Sequence, residues 1–137
     1  MDKDKEEITS ARAHEALEKS AKAVTESDVC TVLDKSDEIQ EKFEKQKPLA
    51  RFVDDLKLLI ALVKDYWSGD YRKIPYWIVA MIVAALLYIL NPMDLLPDVI
   101  PILGYVDDAT MMAACLAVIE SELSKYRQWK TSREEEG

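Results

Sequence analysis

Ile74-Pro75-Tyr76-Trp77-Ile78-Val79-Ala80-Met81-Ile82-Val83-Ala84-Ala85-Leu86-Leu87-Tyr88-Ile89-Leu90-Asn91-Pro92-Met93 is the stretch on which the fold turns. These twenty residues carry no charge and include nine Ile, Val or Leu. At ~1.5 Å per residue a helix of that length covers ~30 Å, the thickness of a bilayer's hydrocarbon layer. Each central Leu, Ile or Val favours insertion by roughly 0.3–0.6 kcal/mol, so the sum favours a membrane crossing. Pro75 suits a first helical turn, where the missing N–H has no intrahelical partner to lose. Tyr76 and Trp77 at one end and Tyr88 at the other are placed like an aromatic belt. The alternative is a helix buried on all sides in a soluble bundle, for which a chain of 137 residues has little surrounding material.

Charge sharpens the contrast between this stretch and the rest. Residues 1–48 hold nine basic and thirteen acidic side chains, residues 49–73 hold five and four, and residues 74–123 hold six acids and no Lys or Arg. Basic stems normally cover apolar surface in a water-soluble protein, so their absence over fifty residues points to lipid around the middle of the chain. The formal charge of -8, with no local concentration of Lys and Arg, excludes a nucleic-acid binder. Two lone cysteines, Cys30 and Cys115, and the single His14 exclude a disulfide scaffold and the common zinc sites. The start, MDKDKEEITS, has no apolar core and does not read as a secretion leader.

Upstream, residues 1–48 read as a charged helical arm. Glu15 with Lys19, Glu18 with Lys22, Glu38 with Lys42 and Glu41 with Lys45 stand at the supportive i, i+4 spacing. Thr25 to Asp28 interrupts the arm; beyond it Val29, Val32, Ser36, Ile39 and Phe43 form a narrow seam that wants a partner helix, and Pro48 closes the segment. The arm is either solvated and loosely packed or a coiled coil for a protein partner. Residues 49–67 give the clearest amphipathic helix, with Phe52, Val53, Leu56, Leu59, Ile60 and Val63 on one stripe, continuing through Tyr66 and Trp67. It is either a core helix or one lying in a membrane interface, which the Tyr66, Trp67, Tyr71, Arg72 and Lys73 cluster at its exit would suit. Gly69 supplies its left-handed stop.

Downstream, only eleven uncharged residues separate Asp108 from Glu120, ~16 Å of helix and too short to cross. Asp107 and Asp108 at a bilayer centre would each cost roughly 2.5–3.5 kcal/mol. This segment therefore reads as the second arm of a hairpin. Met111, Met112, Cys115, Leu116, Ile119, Leu123 and Tyr126 form its apolar stripe, and Ala113 with Ala117 is expected to face Ala80 with Ala84 as a small-residue contact.

Between the two arms lies an acidic, Pro-rich loop. Pro92 ends the first arm, Asp94 can cap a short turn whose early position Pro97 tolerates, and Asp107 or Asp108 can cap the second arm. Helix caps explain all four acids without a ligand. A sharper reading gathers Asp94, Asp98, Asp107 and Asp108 with Asn91 around Ca²⁺ or Mg²⁺, since oxygen-only ligands suit these ions and no nearby cation in the sequence balances the acids. Acids beside lipid could instead exchange protons. A metal-dependent hydrolase using the same acids is a third reading. No nucleophile, phosphate-cradling glycine loop or Cys–His arrangement accompanies it, so no catalytic residue and no cofactor is assigned.

The run Tyr88-x-x-Asn91-Pro92-x-Asp94-x-x-Pro97-Asp98-x-x-Pro101-x-x-Gly104-x-x-Asp107-Asp108 resembles the signature of the YkvA-like domain of unknown function, found in small bacterial proteins. The upstream Trp67-x-Gly69-x-Tyr71-x-x-Ile74-Pro75 is similar to that family's approach to its apolar helix. The resemblance covers about residues 50–127 and leaves out residues 1–48. It implies a helical module, often described as a membrane protein, with no established activity and no catalytic residues to transfer.

The expectation is an all-α protein: a charged helical arm over 1–48, a YkvA-like helical domain over 49–127 holding an amphipathic helix and a hydrophobic hairpin closed by the acidic loop, and a polar tail over 128–137. Its expected role is non-catalytic and membrane-associated, with the bilayer as partner and the arm offered to a protein partner or to a second copy. Lys64, Arg72 and Lys73 before the hairpin and Lys125, Arg127, Lys130 and Arg133 after it place both termini in the cytoplasm under the positive-inside bias. A soluble cytoplasmic bundle is the alternative location.

Overall fold

The computed structural model describes residues 2–90 and 107–136, with side-chain surroundings described for 11–90 and 107–134. Every regular element among them is a helix: α1 (Asp2–Ala23), α2 (Glu26–Asp34), α3 (Ser36–Lys45), α4 (Lys47–Ala50), α5 (Val53–Ser68), α6 (Tyr76–Leu90) and α7 (Asp108–Glu136). Local chemistry sets the breaks. At Thr25 the hydroxyl accepts from the Asp28 N–H at 3.3 Å while the Asp28 carboxylate accepts from the Thr25 N–H at 2.9 Å, a reciprocal capping box that starts α2. A further break at Lys35, which the sequence pattern does not signal, separates α2 from α3. Pro48 opens the short α4 rather than only closing the segment before it, because proline fits a first turn. Gly69 ends α5 at φ 92°, the left-handed conformation that glycine adopts without strain from a Cβ.

The long apolar stretch forms a fifteen-residue helix within the described residues, and from Ile78 to Ile89 every side chain is buried. Its neighbours are the chain's own helices: α1, α2, α3, α5 and α7 all pack on it. Among the described residues the absence of Lys and Arg thus has a protein cause, where the sequence pointed to lipid, since no position from Ile78 to Ile89 reaches water where an ammonium could be solvated. No helix among the described residues is long and apolar enough to cross a membrane.

The covering helices contribute unequally. From α5 come Leu56, Leu59, Leu62 and Val63; from α7 come Met111, Met112, Cys115, Ile119, Leu123 and Tyr126; the seam of α2 and α3 contributes Val29, Val32, Ile39 and Phe43. The partner that seam requires is the pair α5 and α6. In contrast, α1 turns inward Ala13, Ala16, Leu17, Ser20 and Ala21. Over residues 11–23 this inward face buries methyl groups at ~0.8 kcal/mol each and one leucine worth no more than about 3 kcal/mol. The expected Ala113 and Ala117 contact with Ala80 and Ala84 does not form: Ala80 and Ala84 are buried, but Ala113 and Ala117 are exposed on the opposite side of α7. The larger Met111, Cys115 and Ile119 stripe faces inward instead, because it buries more apolar area. α7 also continues through the polar residues after 127 as far as Glu136.

Candidate functional site

The two ends of α6 carry the side chains of interest. At its C-terminal end the acids Asp94 and Asp98, together with Asn91, Pro92, Pro97, Pro101 and Gly104, lie outside the described residues. Asp107 and Asp108 are described, and they do different work. The Asp107 carboxylate accepts from the Thr110 N–H at 2.6 Å and caps α7, as its position before the second arm suggests. Asp108 lies 3.6 Å from the Lys42 ammonium. Lys42 also donates to the carbonyl of Ile89, in the last described turn of α6. One ammonium thus joins the C-terminal end of α6 to the first residue of α7, at the two helix ends whose dipoles favour those charges.

For Asp108 the fold supplies a cation that the neighbouring sequence does not. Lys42 stands 66 positions before Asp108, and only the fold brings them together. Burial raises the Asp108 carboxyl above its ordinary range, Lys42 pulls it back, and Asp107 raises it further. The same two acids add to burial in raising the Tyr88 hydroxyl. Beside them lies a cleft of about 270 Å³ bounded by Gln46, Pro48, Leu49, Asp107, Asp108 and Ala109. Among the described residues no three His, Cys, Asp or Glu side chains gather as a metal ion would require.

At the other end, the exit of α5 and the entry of α6 bring aromatic and basic side chains together. Tyr66 and Tyr76 have ring centroids 6.3 Å apart, and the Arg72 guanidinium lies 4.8 Å from the Tyr66 ring. Trp67, Tyr76 and Trp77 are 39%, 45% and 54% exposed, the large apolar side chains most open to solvent among the described residues. Arg72 and Lys73 beside them are exposed as well. A groove of about 430 Å³ runs from this end between α1 and α6, lined by Glu18, Ala21, Lys22, Tyr76, Trp77 and Met81.

Beneath this rim a second aromatic cluster fastens α5 to α7. Tyr126 donates to the Asp65 carboxylate at 2.6 Å, Asp65 accepts the Tyr71 N–H through its carbonyl at 3.1 Å, and the Tyr71 ring lies 5.1 Å from Tyr126 and 4.9 Å from Trp129. Burial and the Asp65 carboxylate both push the Tyr126 hydroxyl well above its ordinary value. Sequence reading placed Tyr126 on the apolar stripe but missed its bond to Asp65; a tyrosine at a buried helical position is the signal, since its hydroxyl needs a partner. Of the thiols, Cys30 is exposed, while Cys115 is fully enclosed and pushed up to about 12 by burial, far from the range of a reactive cysteine. His14 lies 3.4 Å from Glu18 on the exposed side of α1.

The chain matches the family model described as a protein of unknown function (DUF1232) over residues 78–114, which run from α6 through the acidic loop into the first turns of α7. It is 33% identical to the uncharacterized membrane protein YkvA of Bacillus subtilis over 86 residues, 63% of this chain and 81% of that relative. No solved structure matches it. The hairpin signature, the extent of the shared region and the all-helical architecture agree, and the chain belongs to the YkvA-like family of proteins of unknown function, DUF1232.

Proposed function

We propose that this chain is a non-catalytic, membrane-associated helical module that meets the bilayer surface through the aromatic and basic end of α5 and α6. The observation that carries this reading is the grouping of exposed Trp67, Tyr76 and Trp77 with exposed Arg72 and Lys73 at one end of the molecule. Tryptophan and tyrosine settle at the headgroup level because one part of the ring is apolar and another part hydrogen-bonds, and each basic side chain near an anionic surface contributes about 1 kcal/mol. The name of the Bacillus subtilis relative, a membrane protein, supports the same reading.

Catalysis has no comparable support. Asp107 serves as a cap and Asp108 pairs with Lys42, so neither described acid presents a general acid and base in a shared cleft with a nucleophile. The test is co-sedimentation of the full chain with phosphatidylglycerol-containing vesicles. The wild type is expected to pellet with vesicles at low salt, and Trp67→Ser with Trp77→Ser to reduce binding at least tenfold while helicity is kept. Equal binding by the double variant would refute this placement of the membrane contact.

A further inference from the structure

We propose that α1 is a displaceable cover, and that the face of α6 beneath it is the surface this chain offers to the acyl chains of a bilayer. The inference rests on the membrane reading above and adds a partner for α6 and a moving part. Four observations on the α1 side of α6 support it. Over residues 11–23 the inward face of α1 is mostly methyl groups, Ala13, Ala16 and Ala21 around Leu17, and it includes the buried hydroxyl of Ser20. The two helices do not close on each other at the Trp77 end, where the 430 Å³ groove remains between Ala21 and Met81. The bond that ties this end of the arm to α6, from the Tyr76 hydroxyl to the Val24 carbonyl, is 3.3 Å, long for an O–H···O contact. Finally, Thr25 and Asp28 cap α2 without any help from α1, so the chain can swing at residues 24–25 and leave α2 intact.

The exchange balances physically. In water α6 needs α1, because the stripe leading from Trp77 and Met81 is apolar. Against acyl chains the same stripe is solvated without α1, while the charged outer face of α1, with Arg12, Glu15, Glu18, Lys19 and Lys22, stays at the headgroups. A bilayer that contacts only the uncovered form shifts the population toward it, and the apparent affinity scales with the fraction uncovered. The exposed Trp77 and Tyr76 at the open end of the groove are where lipid first reaches the seam.

The experiment uses the full chain and vesicles of phosphatidylcholine and phosphatidylglycerol, reading vesicle binding together with tryptic cleavage at Arg12, Lys19 and Lys22. Ala16→Glu places a carboxylate on the buried face of α1, which packs on both α6 and α7, and leaves α6 unaltered; it is expected to raise binding about tenfold. Ala21→Leu fills part of the groove and is expected to lower binding about threefold, with circular dichroism confirming helicity in both. Faster cleavage of α1 on vesicles than in water, with the two variants shifting binding in opposite directions, supports the cover. If Ala16→Glu loses its helicity, Ala21→Leu and the cleavage rates decide alone. Wild-type binding with α1 equally protected in water and on vesicles, and with Ala21→Leu binding as the wild type does, overturns the cover and leaves the membrane reading standing. No binding by any form overturns both.

Discussion

The two ends of α6 solve opposite problems. At the C-terminal end a single ammonium, Lys42, meets the Ile89 carbonyl and the Asp108 carboxylate, so among the described residues one cation serves a polar group of each helix. At the N-terminal end the polar and aromatic groups are turned outward: Tyr76 and Trp77 are about half exposed and Arg72 and Lys73 face solvent. At one end the described charges pair within the chain. The other is left amphipathic, the condition of a surface that meets something outside the chain.

The hardest way to break this contrast is to remove the helix that separates the ends. Leu86 is fully buried, and Leu86→Ala is expected to lower stability by about 2–5 kcal/mol in urea titration, the range for a core leucine whose cavity does not collapse. A smaller loss tests the fastening beneath the open end. Tyr126→Phe removes the donor to Asp65 and should cost about 1–2 kcal/mol, because a bond to a charged acceptor is lost while the ring contacts with Tyr71 and Trp129 remain.

The charge-paired end is sharpened by pH. Lys42→Met leaves the half-buried Asp108 without its counter-charge, and at pH 7 the expected loss is about 1–2 kcal/mol. Burial already holds the Asp108 carboxyl above the ordinary carboxylate value in the fold, and losing Lys42 moves it higher. Its neutral form is therefore favoured by folding, and stability carried by that proton is lost as pH rises through the folded-state value. The deficit of Lys42→Met should accordingly shrink as pH falls through that value, and a deficit constant from pH 7 to pH 4 would show that Asp108 is not the cause. The smallest effect belongs to the open end: Trp77→Ser should change stability by no more than about 0.5 kcal/mol, since the side chain is 54% exposed, yet it should weaken vesicle binding.

Periodicity made much of this legible. The inward stripes of α5 and α7, the seam through Val29, Val32, Ile39 and Phe43, the stop at Gly69 and the cap at Asp107 all follow from spacing and from the conformations particular residues favour. Spacing names a face, however, and not what covers it. Lys42 reads as the i, i+4 partner of Glu38 but turns to Asp108, and the Ala113 and Ala117 pair fits a helix contact that the heavier stripe of α7 takes instead. The apolar stretch has the composition of a crossing, and a sequence-level count cannot see that α1, α2, α3, α5 and α7 converge on it. Asp94 and Asp98, the core of the cation reading, lie outside the described residues.

Differential thiol labelling in detergent-free buffer tests most directly whether the chain's own helices enclose α6. Cys30 is exposed on α2 and Cys115 is buried on α7, a helix that packs on α6. A maleimide should consume Cys30 promptly and reach Cys115 only when denaturant opens the fold. Comparable labelling rates for the two thiols in dilute buffer would contradict the account.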